Sequence, residues 1–197
     1  MDMPVPDAAI LARKGRIVAR LRAVLPADAV IDDAAEVRVY ECDALSAYRC
    51  PPMAAVLPRT TAEVSAVLRV CWEEGVPVVP RGSGTSLAGG AMPTADCVVL
   101  GVSRMTAVLE TDYPNRLIRV QAGRTNLSVT GAVEGEGFFY APDPSSQLAC
   151  AIAGTLRGFE SIPAWAVTAL EADPIFQYYG VRGLADGIAA FPRRGGA

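Results

Sequence analysis

Residues 81–90 read Arg81-Gly82-Ser83-Gly84-Thr85-Ser86-Leu87-Ala88-Gly89-Gly90, with four glycines, three hydroxyls and an arginine directly after the strand-like run Val-Pro-Val-Val-Pro at 76–80. A phosphate needs several donors converging at short range. Successive backbone N–H groups supply them when the chain curls into a nest, and glycine permits the angles that requires. Ser83, Thr85 and Ser86 add hydroxyls, and Arg81 adds a charged fork. The stretch therefore suits a pyrophosphate. It is not a P-loop, because the lysine of GxxxxGK[ST] is missing. It is not a good dinucleotide fingerprint either: Gly82 and Gly84 begin GxGxxG, but Leu87 breaks it, and Gly89-Gly90-Ala91-Met92-Pro93 cannot carry a good helix. A tight ligand-free loop crossing the sheet remains the alternative.

A second stretch, Pro142-Asp143-Pro144-Ser145-Ser146, carries chemistry of a similar kind. The two serines can donate to phosphate or carbonyl oxygens, and the prolines stiffen the segment so that the donors are pre-placed. Read alone, the same residues make a plain turn, with Asp143 as a turn or capping group rather than a base. The 197 residues include no histidine, so neither a histidine triad nor a histidine-ligated metal is expected. Five cysteines show no CxxC pair, which argues against a metal cluster or a disulfide framework and for a reduced cytosolic compartment. A net charge of −3 carries no nucleic-acid footprint, and no apolar run is long enough to span a bilayer. The N-terminus lacks the pattern of a secretory signal.

The elements that must position these groups follow from periodicity. Residues 8–25 read as a basic amphipathic helix, with Ile10, Ile17, Val18, Leu21, Val24 and Leu25 roughly on one face. It either packs on the domain with a solvated basic face or lies on a membrane or serves targeting. Residues 54–58 suggest a short buried strand. Thr60 and Glu63 have capping-box spacing, Val64, Val67, Leu68 and Cys71 make one face, and Gly75 with Pro77 ends the helix. Residues 76–80 form the next strand, so 54–80 is a βαβ unit with parallel strands expected. Further strands are expected at 97–102 and 117–123, and a weaker helix at 125–136. The coarse class is α/β or α+β.

Residues 80–90 resemble the flavin-pyrophosphate loop of FAD-linked oxidases of the vanillyl-alcohol-oxidase type, and 140–154 resemble that family's second FAD loop. Residues 40–58 are most similar to the segment before the first strand in the group of glycolate oxidase FAD-linked subunits and D-lactate dehydrogenases. The resemblance implies an α+β fold, a PCMH-type FAD-binding domain of two α+β subdomains, here incomplete. It implies FAD as cofactor, with Pro80, Arg81, Gly82, Ser83, Gly84, Thr85, Ser86, Gly89 and Gly90 along the pyrophosphate. Pro142, Asp143, Ser145 and Ser146 would approach the flavin end, and Cys150, Ile152 and Gly154 would follow the dinucleotide further. No catalytic residue and no metal ligand is assigned.

The expected organisation is an N-terminal helical segment (1–35), the first part of the FAD-binding domain (36–154) and a divergent tail (155–197) without likeness to the family. Seventeen arginines against Lys14 alone imply a GC-rich, bacterial coding sequence. Such genes have few stops in their wrong frames, so an out-of-frame tail after a truncated domain is the expectation, and a genuine short domain the alternative. The functional expectation is the FAD-binding portion of a flavin-dependent oxidoreductase for 2-hydroxy acids such as glycolate or D-lactate, inactive alone. Its partners would be that substrate and other oxidase subunits, with no nucleic acid, in the cytoplasm or peripherally on the inner membrane through those subunits. The alternatives are a non-catalytic remnant without stable flavin, or another nucleotide-binding module of the same fold.

Overall fold

The computed structural model describes residues 4–87, 89–140 and 148–152. Its centre is a four-stranded sheet, β1 (Val30–Ile31), β2 (Ala54–Val56), β3 (Val78–Arg81) and β4 (Val98–Gly101), in the order β1-β2-β4-β3. β4 runs parallel to both β2 and β3, with Val98 opposite Ala54 on one side and Val78 on the other. β1 is antiparallel to β2. The βαβ unit expected at 54–80 is present and its strands are parallel, but they are not neighbours: β4 lies between them. That place suits β4, since a strand covered on both faces reads as an unbroken apolar run, and Val98, Val99, Leu100 and Gly101 are all buried.

The connecting helix, α3 (Thr61–Glu74), starts and stops where the sequence says it should. Thr60 Oγ1 accepts the N–H of Glu63 at 3.1 Å. Glu63 reaches back to the N–H of Arg59 at 2.7 Å, one residue before the cap itself. At the other end Gly75 takes a left-handed conformation (φ 65°), which a side chain would oppose.

The expected helix over 8–25 is two helices, α1 (Ala8–Leu11) and α2 (Lys14–Val24). The break has a local cause. Arg13 N–H donates to Ile10 O, three residues back, while the Ala9 carbonyl accepts the Arg13 side chain Nε at 3.1 Å. Ile17, Val18 and Leu21 of α2 then pack with Val67, Val70 and Cys71 of α3 onto Ala54, Val56, Val98 and Leu100 of the sheet. Each large aliphatic side chain so buried contributes on the order of 2 kcal/mol. On the opposite face Ala55, Cys97 and Val99 meet Ile31, Val79 and Tyr40.

Beyond the sheet, β5 (Val108–Asp112) and β6 (Leu117–Val120) form an antiparallel hairpin, followed by α4 (Asn126–Val133) and a 3-10 turn, Glu134–Glu136. The sequence reading identifies β6 and α4 but not β5 or β1.

Candidate functional site

β3 is an edge strand, and this is why Pro80, opposite Leu100, costs little there: its missing N–H has no neighbour to serve. Arg81 is the last paired residue, opposite Gly101. The chain then leaves the sheet at the carboxyl end of its parallel strands, the end where open α/β sheets bind ligands.

Among the described residues, the backbone N–H groups of Gly82, Ser83, Gly84 and Thr85 donate to no backbone carbonyl. Four consecutive unspent donors in a glycine-rich turn are what an anion requires, and most backbone donors in folded proteins are otherwise spent. Ser83 and Thr85 are exposed, and Gly82, Gly84, Ser86 and Gly89 half-buried.

Gly84 has φ 70°. A Cβ there would lie 2.3 Å from Arg81 Nη2 and 2.4 Å from its Cζ. The niche is therefore filled by the guanidinium of Arg81, which folds under its own loop. Nη1 donates to Cys42 O at 2.6 Å, and Cζ stands 5.8 Å from the Tyr40 ring centroid. The fork is thus a strut as well as a charge beneath the loop. Burial raises the Tyr40 hydroxyl above its ordinary value, with Arg81 opposing. The loop's other anchor is the N–H of Ala44, which donates to Ser86 O at 3.1 Å. Gly89 takes φ 75°, its carbonyl accepts Met92 N–H at 3.0 Å, and Gly90 is exposed.

The segment Tyr40-Glu41-Cys42-Asp43-Ala44 thus holds the loop from below. Motif reasoning missed these residues as site residues, because they carry no phosphate signature of their own. Their contribution comes through two carbonyl or amide contacts and one aromatic face.

Of the second group, Cys150 and Ile152 are described. Cys150 O accepts the N–H of Asn126 at 2.9 Å, and Ile152 N–H donates to Arg124 O at 2.9 Å, so the strand-like bridge Thr125–Ala151 ties this segment to the start of α4. Ile152 also lines a cavity of about 230 Å³ between the hairpin and α4, with Tyr113, Leu117, Val129, Val133 and Phe138. Pro142, Asp143, Ser145, Ser146 and Gly154 lie outside the described residues.

Burial pushes the thiols of Cys71 up to about 12 and Cys97 up to about 11. Both behave as small core side chains, not as thiolate nucleophiles. Among the described residues no cluster of acidic or cysteine side chains could hold a metal.

A mostly parallel, helix-backed sheet that ends in a loop whose amides at 82–85 have no backbone partner, braced by a guanidinium, makes this an α+β domain with an anion-binding loop. The particular kind follows from comparison: a family model described as FAD binding domain matches residues 52–159, and the chain belongs to that family. It is 43% identical over 156 residues to glycolate oxidase subunit GlcD of Escherichia coli K12, spanning 79% of this chain and 30% of that protein. It is 36% identical over 123 residues to a D-lactate dehydrogenase of Archaeoglobus fulgidus. The chain thus spans about a third or less of the length of the curated relatives it matches. Among solved structures its fold matches alkyldihydroxyacetonephosphate synthase (TM-score 0.67, 20% identity, 79% of this chain and 30% of that one). It also matches p-cresol methylhydroxylase (TM-score 0.57, 20% identity, 67% and 26%). The expected α+β, PCMH-type class and the expected cofactor, FAD, therefore stand. No described helix is long and apolar enough to cross a membrane.

Proposed function

We propose that the chain is the FAD-binding portion of a flavin-dependent oxidoreductase for 2-hydroxy acids such as glycolate or D-lactate, working with further polypeptide that supplies the substrate pocket. The observation that carries this reading is the row of four unspent amides at 82–85 above a guanidinium. The donor set fits a diphosphate: the N–H groups of Gly82, Ser83, Gly84 and Thr85 and the hydroxyls of Ser83 and Thr85 take its oxygens, and Arg81 offsets its charge from below. Pro142, Asp143, Ser145 and Ser146 are proposed to meet the same molecule from its flavin side, and Cys150, Ile152 and Gly154 to continue the wall.

Bound FAD supplies the redox chemistry, accepting a hydride from the α-carbon of the hydroxy acid. This chain's own residues bind and orient. With no histidine in the chain, none of them is proposed as the base that takes the hydroxyl proton. The chain alone is therefore proposed to hold flavin without turning over substrate. Kinship with a named subunit, GlcD, supports partner subunits, and any membrane association would run through them. Residues 1–35, 36–154 and 155–197 are retained as the proposed division.

The test is FAD uptake by the purified chain, followed by quenching of flavin fluorescence. Saturable binding is expected. A Gly84→Val variant should weaken it on the order of tenfold or more, since a β-branched residue is strained at that φ and displaces Arg81. A wild-type chain that takes up no FAD leaves the remnant reading instead. Uptake with hydroxy-acid oxidation by the chain alone would overturn the assignment of the chemistry to further polypeptide.

A further inference from the structure

Asp43 is 5% exposed, and its Oδ2 has no hydrogen-bond partner among the described residues. Its other oxygen is spent locally, with Oδ1 accepting the N–H of Leu45 at 2.8 Å. The residues on either side both grip the glycine loop: Cys42 O takes Arg81 Nη1, and Ala44 N–H reaches Ser86 O. Leu45 belongs to the same seam, its Cδ2 lying 3.8 Å from where a Gly89 Cβ would stand. Asp43 is thus fixed between two anchors of the phosphate loop, with one buried acceptor left over.

A buried acceptor without a donor is costly, the more so when charged, so each one in a folded chain calls for a group that completes it. A carboxylate accepts and does not donate, so phosphate oxygens cannot be what completes this one. In a dinucleotide the donors adjoining the diphosphate are hydroxyls, on the ribose on one side and on the ribityl chain on the other. We infer that Asp43 is a cofactor-binding residue whose Oδ2 accepts a hydrogen bond from a sugar or polyol hydroxyl next to the diphosphate of FAD. The inference rests on the proposed function above. Arg81, held on the carbonyl of the preceding residue, places one cation in the same seam.

The Asp43→Asn substitution tests this in the full chain. Asparagine keeps the oxygen that caps Leu45 and replaces the free acceptor with a donor. FAD affinity should fall on the order of tenfold, while the melting temperature of the ligand-free chain stays within about a degree of wild type. ADP, which lacks the ribityl chain, is the second probe: an equal loss for ADP places the hydroxyl on the ribose, and a loss confined to FAD places it on the ribityl chain. Unchanged affinity for both overturns the inference while leaving the proposed function intact. A ligand-free variant that melts several degrees lower also overturns it, assigning Asp43 to loop architecture. A wild-type chain that binds neither probe overturns the proposed function and this inference with it.

Discussion

Glu74 ends α3 as a 2% exposed side chain and draws three guanidiniums onto one carboxylate, Arg13 from the break between α1 and α2 and Arg16 and Arg20 from α2. Arg13 Nη1 reaches it at 2.9 Å, Arg16 Nη2 at 2.5 Å and Arg20 Nη1 at 2.8 Å, while Arg20 also bridges to Glu73. Part of the face that reads as basic in the sequence is therefore a clamp between α1–α2 and α3. Hydrogen bonds from Arg20 and then Arg16 hold the Glu74 carboxyl at about 2, against an ordinary 4.5. A carboxyl whose folded pKa lies below its unfolded one stabilises the fold only while ionised. Its contribution is full above about 4.5 and fades as pH falls toward about 2. Melting temperature measured across that window should drop in the wild type. In Glu74→Gln it should start lower at neutral pH and fall less on acidification. Parallel acid curves for the two proteins would show that the clamp contributes no proton linkage. The bridges of Asp28 to Arg59 and Arg104 are more exposed and weigh little beside it.

At the scale of elements, α3 is the piece most firmly encoded. Thr60→Ala removes the acceptor for Glu63 N–H and should cost about 1 kcal/mol, read as a lower urea midpoint with an unchanged slope. An unaltered midpoint would mean that Glu63, through Arg59, holds the helix start alone. The same logic shows what was legible. β2, β4 and α3 could be read because their burial makes apolar runs or a 3.6-residue stripe bounded by caps, and the half-buried β3 because Val78 and Val79 still form an apolar run between prolines. β5 could not: Val108, Leu109, Glu110 and Thr111 are all exposed, so it has no buried alternation to show. Two-residue β1 is shorter than any pattern. The place of β4 between β2 and β3 is a long-range choice that no local signal records. At the site, Arg81 and the glycines stand out by composition. Tyr40, Cys42, Asp43 and Ala44 do not, since two of their contacts with the loop use main-chain atoms that any residue provides.

For the whole molecule, the core and the proposed site are mechanically distinct, and that distinction can be measured. The helices and sheet bury their amides in hydrogen bonds, whereas the N–H groups at 82–85 have no backbone acceptor. In the ligand-free chain the loop amides should exchange with deuterium quickly, and those of Val67 and Cys71 only through large-scale opening. FAD at a hundredfold over its dissociation constant stabilises the folded state by about 2.7 kcal/mol. This term slows exchange only for amides that need global unfolding. Direct capping by a diphosphate acts differently, slowing loop amides that exchange without unfolding. FAD should therefore protect 82–85 strongly, protect Ala44 because its N–H is bound to Ser86 O, and leave the hairpin tip around Tyr113 and Asn115 unchanged. Protection spread evenly over the core with a fast-exchanging loop would mean that the diphosphate sits elsewhere. Protection centred on Tyr113, Phe138 and Ile152 would move the ligand to the cavity beneath the hairpin.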